Sequence, residues 1–467
     1  MNAVGAALLV GTALAVFGLP RKWALLALVT GALYLPLGLH IELGFNLFAL
    51  RILGAVGFAR VVSRRELSFT SLNSIDKVLL TFTFYTTIVF LFRSPDGQAF
   101  EIGRTVDTCF AYFTFRALVR DLEEFKAFLR LFVVPLIPYM GLVVLETITL
   151  ENPFNTFLAG TAPYVVREGG VRAVGSFLHP SLLGTLGGRF LPLYVSLWLT
   201  KTNRVTALCG VVLSVMLVLA SNSGAPLACV MVGAIGWACW PFRRRMKLVR
   251  YALVGLIVSL ALAMKAPIWY LLARFSELTG GDGYHRSYLL DISFQNLDKW
   301  WLAGMAIADT RDWFPYINYT TGGADMTNQF LVWGMTAGLG AMVLWVVLLK
   351  RAFSRLGTAM TVLRHRHETH VDQEYFLWGL GVLLAVHVMN WMSIPYFDQS
   401  AAFFFLELAV IANLTQDILK SVATEPQRVQ AVSQREVGGK AVLGSPAAPR
   451  LRHQFTLDRT NRHPLHR

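Results

Sequence analysis

Charged side chains are scarce in this chain. Asp, Glu, Lys and Arg make up 15% of its 467 residues, while 55% are hydrophobic; an average soluble domain carries roughly 25% charge. That deficit excludes a soluble multidomain enzyme, because most of the surface must be solvated by something other than water. Cysteine is scarce too. Cys109, Cys209, Cys229 and Cys239 fall in apolar stretches without CxxC spacing, which excludes a disulfide framework or a zinc site and leaves them as small hydrophobes. No internal repeat is visible, which counts against the inverted-repeat architecture of many secondary transporters. No basic segment precedes the apolar stretch 3–19 and no small-residue cleavage pattern follows it, so a cleaved signal peptide is not expected.

Long hydrophobic runs, by contrast, are abundant. They lie near 3–19, 23–39, 44–60, 76–92, 101–119, 128–148, 181–200, 205–220, 225–241, 248–265, 326–349, 375–393 and 399–418. At about 1.5 Å per residue each suffices for a hydrocarbon layer about 30 Å thick. The expected fold is an all-α polytopic membrane protein of about 12–14 transmembrane helices, occupying residues 1–420. Lys and Arg outnumber Asp and Glu by 42 to 28. Much of that excess sits in alternate loops, at Arg21-Lys22, Arg60 to Lys77, Arg116 to Arg130, Lys201 to Arg204, Arg243 to Arg250 and Lys350 to Arg366, whereas the loops near 37–43, 221–224 and 394–398 have none. The positive-inside rule then puts the N-terminus outside and the C-terminus in the cytoplasm, and assigns the net charge to topology rather than to a nucleic acid partner. Two outer segments, about 149–180 and 266–325, exceed what connection requires and are expected to carry function. Residues 421–467 are Gln-, Arg-, Pro- and Gly-rich without apolar periodicity, and are expected to be a disordered basic cytoplasmic tail.

Arg189 lies inside the seventh run, where a cation needs an anion or a cavity. Gly184, Gly187, Gly188 and Ser181 give the same stretch a small-residue face that admits a helix or a ligand. His179-Pro180 opens it, where a helix N-terminus favours negative charge. Arg172, His179 and Arg189 thus suit a phosphate or diphosphate; the structural alternative pairs Arg189 with Glu146 or Glu407. A second cluster comprises His285, Arg286, Tyr288 and Asp291, followed by Asp325, Thr327 and Asn328 at the start of the eleventh run. Trp300, Trp301, Trp313, Tyr316 and Tyr319 either stack on sugar faces or form an interfacial belt. Arg104 is spaced to pair with Glu101 or Asp107 on one helix face, and Arg51 either pairs with Glu407 or lines a lipid groove. His365, His367 and His370 lack metal-ligand spacing and read as a solvated basic loop.

The order of Arg172 to Gly184 (R-x-x-G-x-F-x-H-P-x-x-x-G), Ser221-Asn-Ser-Gly224, Arg286 to Leu290 in a long outer loop, and Asn328 followed by Gly334, Gly338 and Gly340 resembles the O-antigen ligase and O-antigen polymerase family over about 170–345. The resemblance implies a glycosyltransferase-C-like enzyme of the bacterial inner membrane whose long periplasmic loop contains short helices. Such an enzyme polymerises or ligates glycans from an undecaprenyl diphosphate carrier at the periplasmic face, without a metal or other cofactor. It makes Arg286, Asp325 and His285 the catalytic candidates, and Arg189, Arg172, His179 and Asn328 the candidates for holding diphosphate or substrate. Its implied partners are the lipid-linked glycan donor, a glycan or lipid-glycan acceptor, membrane lipid, and flippase and chain-length or export proteins. Ligases typically carry His before the helix-start Asn, where this chain has Thr327, and Arg after the first Ser of the small-residue motif, where it has Asn222. These departures favour an exopolysaccharide or O-antigen polymerase-like member and leave any base to Asp325, His285 or His179. A lipid-linked glycan transporter, or a non-catalytic accessory of an exopolysaccharide machine, stays open as the alternative.

Overall fold

The computed structural model describes residues 1–441 apart from 43–45, 68–71, 159, 162–164, 168, 202, 280–281, 314–321 and 366–369. Its helices are α1 (Ala3–Gly18), α2 (Arg21–Tyr34), α3 (Ala49–Ser63), α4 (Ser74–Arg93), α5 (Gln98–Leu118), α6 (Leu122–Thr149), α7 (Pro153–Leu158), α8 (Pro180–Leu199), α9 (Arg204–Ala220), α10 (Gly224–Ala238), α11 (Met246–Ala263), α12 (Leu271–Thr279), α13 (Gly283–Gln295), α14 (Leu297–Trp300), α15 (Gln329–His365), α16 (Val371–Trp391) and α17 (Ser400–Ala441). Strand structure among the described residues is confined to two antiparallel hairpins, β1 (His40–Glu42) with β2 (Asn46–Phe48) and β3 (Val165–Arg167) with β4 (Gly170–Arg172). Each of the thirteen hydrophobic runs overlaps a helix, although 35–39 lies beyond α2 and 44–60 takes in β2 before α3 begins. Six helical stretches, α4, α6, α8, Trp240–Ala263, α15 and Ser400–Ser421, are long and apolar enough to cross a membrane, and α1, α9 and α10 are apolar but shorter. This is the all-helical architecture expected of a multi-pass membrane protein. The segment 149–180 holds α7 and the second hairpin, and 266–325 holds α12, α13 and α14.

The chain forms two compact units, Met1–Leu419 and Lys420–Arg467. Within the second unit α17 continues to Ala441, and the remainder of the expected tail, 442–467, lies outside the described residues.

The centre of the first unit is α8, which buries 16 of its 20 residues. Its glycines explain how. A Cβ at Gly187 would stand 2.2 Å from the Ser214 carbonyl of α9, and one at Gly184 would stand 2.3 Å from Ser221 Oγ. Small residues are what allow helix backbones to approach in a lipid-like interior, where packing rather than water drives association. At the opposite extreme α11 buries no residue at all.

α15 is broken at Ala337 and Gly338, which leave helical geometry; Gly338 has φ +76°. The interruption is closed by the segment after α14. Leu339 N–H donates to the Trp301 carbonyl at 2.8 Å, and the freed Met335 carbonyl accepts from Met305 N–H at 2.9 Å and from Arg93 Nη1 at 2.8 Å. A second small core forms around it from Leu289, Leu290, Trp300, Trp313, Met326 and Leu331. Trp300 is wholly buried and donates its indole N–H to the Ser293 carbonyl at 2.8 Å, so it and buried Trp313 serve as core side chains rather than as sugar platforms. Trp301 is exposed, and Tyr316 and Tyr319 lie outside the described residues.

Candidate functional site

Arg172 ends β4 and is buried. Its Nη2 donates to Ser223 Oγ at 2.6 Å and lies 3.5 Å from Ser181 Oγ, while its buried Nε has no hydrogen-bond partner. Ser181 sits in the first turn of α8 and Ser223 immediately precedes α10, so one guanidinium bridges the starts of two helices. His179 caps α8, its Nδ1 accepting the Ser181 amide at 3.1 Å. No side chain caps α10, which leaves its first amides, and the positive end of its dipole, for water or an anion.

Arg286 approaches from α13, capped by Asp282, whose carboxylate accepts the His285 amide at 2.9 Å. With Gly224 and Ala225 of α10, Ser276 of α12, and Met389 and Ser393, Arg286 lines a cleft. Its buried Nε has no hydrogen-bond partner, and no carboxylate among the described residues stands within ion-pair distance of it. Burial, then Arg167, hold Arg172 below the ordinary guanidinium value. Burial also lowers Arg286, with Asp282 and Asp325 opposing and Arg167 and Arg172 adding to the shift. His179 is pushed from 6.5 down to about 4 by burial and by Arg172 and Arg286, so it is neutral at pH 7. Like charges brought close together disfavour the charged form of each.

The structure thus brings Arg172, His179 and Arg286 together. Asp325 and His285 belong to the same neighbourhood: burial lowers the His285 pKa while Asp325 and Asp282 resist the shift. Asn328 caps α15, its Oδ1 accepting the Phe330 and Leu331 amides at 2.9 and 3.2 Å. Arg189 is placed elsewhere. Its Nη1 donates to the Ser400 carbonyl at 2.9 Å, its Nε stands 3.8 Å from Glu407 Oε1, and it lies over the Tyr396 ring at 4.9 Å. Of the two carboxylates weighed for it, Glu407 is the partner; Glu407 also bonds His387, whose other nitrogen meets the Tyr396 hydroxyl at 2.7 Å. Arg51 forms a fork on Asp107, 2.8 Å on both arms, and Arg104 pairs with Glu101. Among the described residues no group of His, Cys, Asp or Glu is placed to hold a metal ion.

Sequence reading missed Arg167 as a neighbour of this site. The signal was the Gly169-Gly170 turn between Val165-Val166-Arg167 and Val171-Arg172, a hairpin pattern with Gly169 at φ +75°. It also missed Ser223 as an anchor for Arg172. The chain matches no known family profile, and no curated protein is detectably similar to it in sequence.

Proposed function

We propose that this protein is a membrane glycosyltransferase of the O-antigen polymerase or ligase kind, glycosyltransferase-C-like. On this reading it extends or transfers undecaprenyl-diphosphate-linked glycan at the periplasmic face of a bacterial inner membrane, with its C-terminus cytoplasmic. The observation that carries the reading is the meeting of Arg172, Arg286 and neutral His179 at two helix starts, with guanidinium Nε atoms buried and unbonded. A diphosphate supplies the missing acceptors. In the reaction, an acceptor hydroxyl forms a new bond to the anomeric carbon as the carbon–oxygen bond to the diphosphate breaks. The electron pair leaves with the diphosphate, where preorganised guanidinium groups and helix dipoles stabilise it. The hydroxyl proton passes to Asp325 or to His285, whose depressed pKa leaves it a neutral acceptor at pH 7.

The test is turnover by the purified protein of a lipid-linked oligosaccharide, scoring chain extension against transfer to a lipid acceptor. Asn328 already caps α15, so Asp325→Asn leaves the fold intact and is expected to cut turnover about 100-fold or more if Asp325 is the base. Binding of the donor with no bond broken in any arm would favour the transport or accessory reading instead.

A further inference from the structure

The six residues Ala173–Leu178 join Arg172 to His179 without regular secondary structure, yet their backbone groups are bonded almost one by one. Ala173 N–H donates to the Ala220 carbonyl at 3.0 Å, at the end of α9. Ser176 N–H donates to the Tyr139 hydroxyl at 3.2 Å, and Leu178 N–H to Asp398 Oδ2 at 3.3 Å. The Gly175 and Ser176 carbonyls accept from Asn152 Nδ2 at 2.8 Å and Gln399 Nε2 at 2.9 Å. The middle of this strap is held by Glu146, a fully buried residue of α6 that pairs with no cation among the described residues. Val174 N–H donates to its Oε1 at 2.7 Å and Gly175 N–H to its Oε2 at 2.9 Å. Gly175 has φ +60°, and a Cβ there would stand 2.6 Å from the Tyr139 hydroxyl, so the turn requires a residue without a side chain. A buried carboxylate without a cation is tolerated only when hydrogen bonds replace its water. By the same token, two amides aimed at one carboxylate cannot swing.

We infer that Glu146 is a positioning residue of the anion site: it clamps the 173–178 strap so that Arg172 and His179 are set before an anion arrives. The inference rests on the anion-site reading above and adds to it where the site's rigidity comes from. The carboxylate is specific to the task. A glutamine of the same shape presents one acceptor and one NH2, and that NH2 faces a backbone N–H, donor against donor. Glu146→Gln therefore breaks one arm of the clamp while keeping its volume.

The experiment is titration of the full-length protein in detergent with inorganic diphosphate. Wild type is expected to bind, and Glu146→Gln to bind about tenfold more weakly, since a hydrogen bond to a charged group is lost. In an Arg172→Ala background the same Glu146→Gln change is expected to lose most of its effect, because the clamp acts through Arg172 and contacts no ligand itself. Tyr139→Phe, which removes a weaker hold on the adjacent Ser176 and keeps the ring, is expected to give a smaller loss with the same dependence on Arg172, and it carries the test if Glu146→Gln does not fold. Glu374→Gln, at the far end of α16 where Glu374 pairs with Arg243 and Arg364, is expected to leave binding unchanged. Lowered melting temperature with unchanged affinity, or a loss equal in the presence and absence of Arg172, overturns the positioning role while leaving the anion site standing. Absence of diphosphate binding by wild type overturns the anion site itself, and the inference with it.

Discussion

The arginines of this protein divide into two regions that obey opposite rules. Within the helical bundle several have a carboxylate partner: Arg189 has Glu407, Arg51 has Asp107, Arg104 has Glu101, and Arg116 bonds both oxygens of Asp76 at 3.0 and 3.1 Å, whereas Arg93 and Arg355 bond the Met335 carbonyl and Thr415 Oγ1. At the start of α8 and α10, Arg172 has only hydroxyls and Arg286 has no ion-pair partner among the described residues, while Arg167 adds a third like charge. A paired guanidinium at membrane depth is an internal fastener, since a lone charge is costly there. Arg172 and Arg286, which have no ion pair, are the arginines that the proposed function assigns to a ligand. The comparison separates structural arginines from ligand-facing ones on the identity of their partners, a distinction that depth in the sequence does not make.

The comparison breaks most visibly at Arg189. Removing one partner of a buried pair leaves an uncompensated charge and costs about 3–5 kcal/mol, whereas replacing both by apolar residues of similar volume is often tolerated. Arg189→Ala and Glu407→Ala are therefore each expected to lower protein yield and melting temperature sharply, and the double change Arg189→Met with Glu407→Leu to recover most of the loss. A double variant no better than either single would show that Arg189 has a duty besides the pair.

Arg286 tests the other side. Arg286→Ala is expected to slow glycan transfer roughly 100–1,000-fold at unchanged protein level and melting temperature, in keeping with the loss of one preorganised charge donor. Arg286→Lys keeps the charge but not the two-pronged geometry, and is expected to be severely impaired too. Near-normal product from both, measured with the lipid-linked donor, would return Arg286 to the structural group.

How much of this was legible beforehand follows from what each feature depends on. The thirteen hydrophobic runs became helices because run length and composition are local properties, and α8's close packing could be read from Gly184 and Gly187. The sequence grouped Arg172 and His179 with Arg189 and placed Arg286 in a second cluster; the fold instead sets Arg189 against Glu407 and brings Arg286 toward His179. Pairing was not. Arg189 had two candidate carboxylates, and only the packing of α8 against α17 selects Glu407, while Glu146 goes to the backbone of Val174 and Gly175. Trp300 looked like an interfacial or sugar-stacking ring, and its burial depends on Gly334 giving it room, with a Cβ there only 2.7 Å from the ring. Periodicity carries no information on such long-range register.

The break in α15 was the least legible feature, since the run 326–349 is continuous in hydropathy. Gly338 supplies a smaller and more local test of how the two regions are joined. Its φ of +76° and ψ of −174° belong to glycine alone, and a Cβ would stand 2.4 Å from the Leu302 carbonyl. Gly338→Ala is expected to cost about 1–3 kcal/mol of stability, read as a fall in melting temperature. Gly357→Ala, in open space further along the same helix, is expected to be neutral or slightly stabilising. Equal tolerance at both positions would mean that the helix can run straight through.

The smallest expected effect is a pH dependence, and it reads the like-charge cluster directly. His179 titrates near 4 in the folded protein and near the ordinary 6.5 when unfolded, because burial and the two arginines exclude its proton. Above 6.5 neither state is protonated there and the group contributes nothing to the pH dependence. Between 6.5 and 4 the unfolded state binds more protons than the folded one, so stability falls as the pH falls through that window and the full loss is reached below 4. His179→Asn keeps a cap acceptor for the Ser181 amide and removes the titration. The wild-type melting temperature is thus expected to decline more steeply than the variant's between pH 7.5 and 4.5, with the two closest at the alkaline end. Inorganic diphosphate sharpens the test, since an anion beside Arg172 and Arg286 offsets the arginines' share of a shift that burial chiefly causes, and should flatten the wild-type curve part of the way toward the variant's. Parallel curves with and without diphosphate would mean that the arginines do not act on His179, and the contrast between ion-paired Arg189 and the cluster of Arg172 and Arg286 would lose its electrostatic basis.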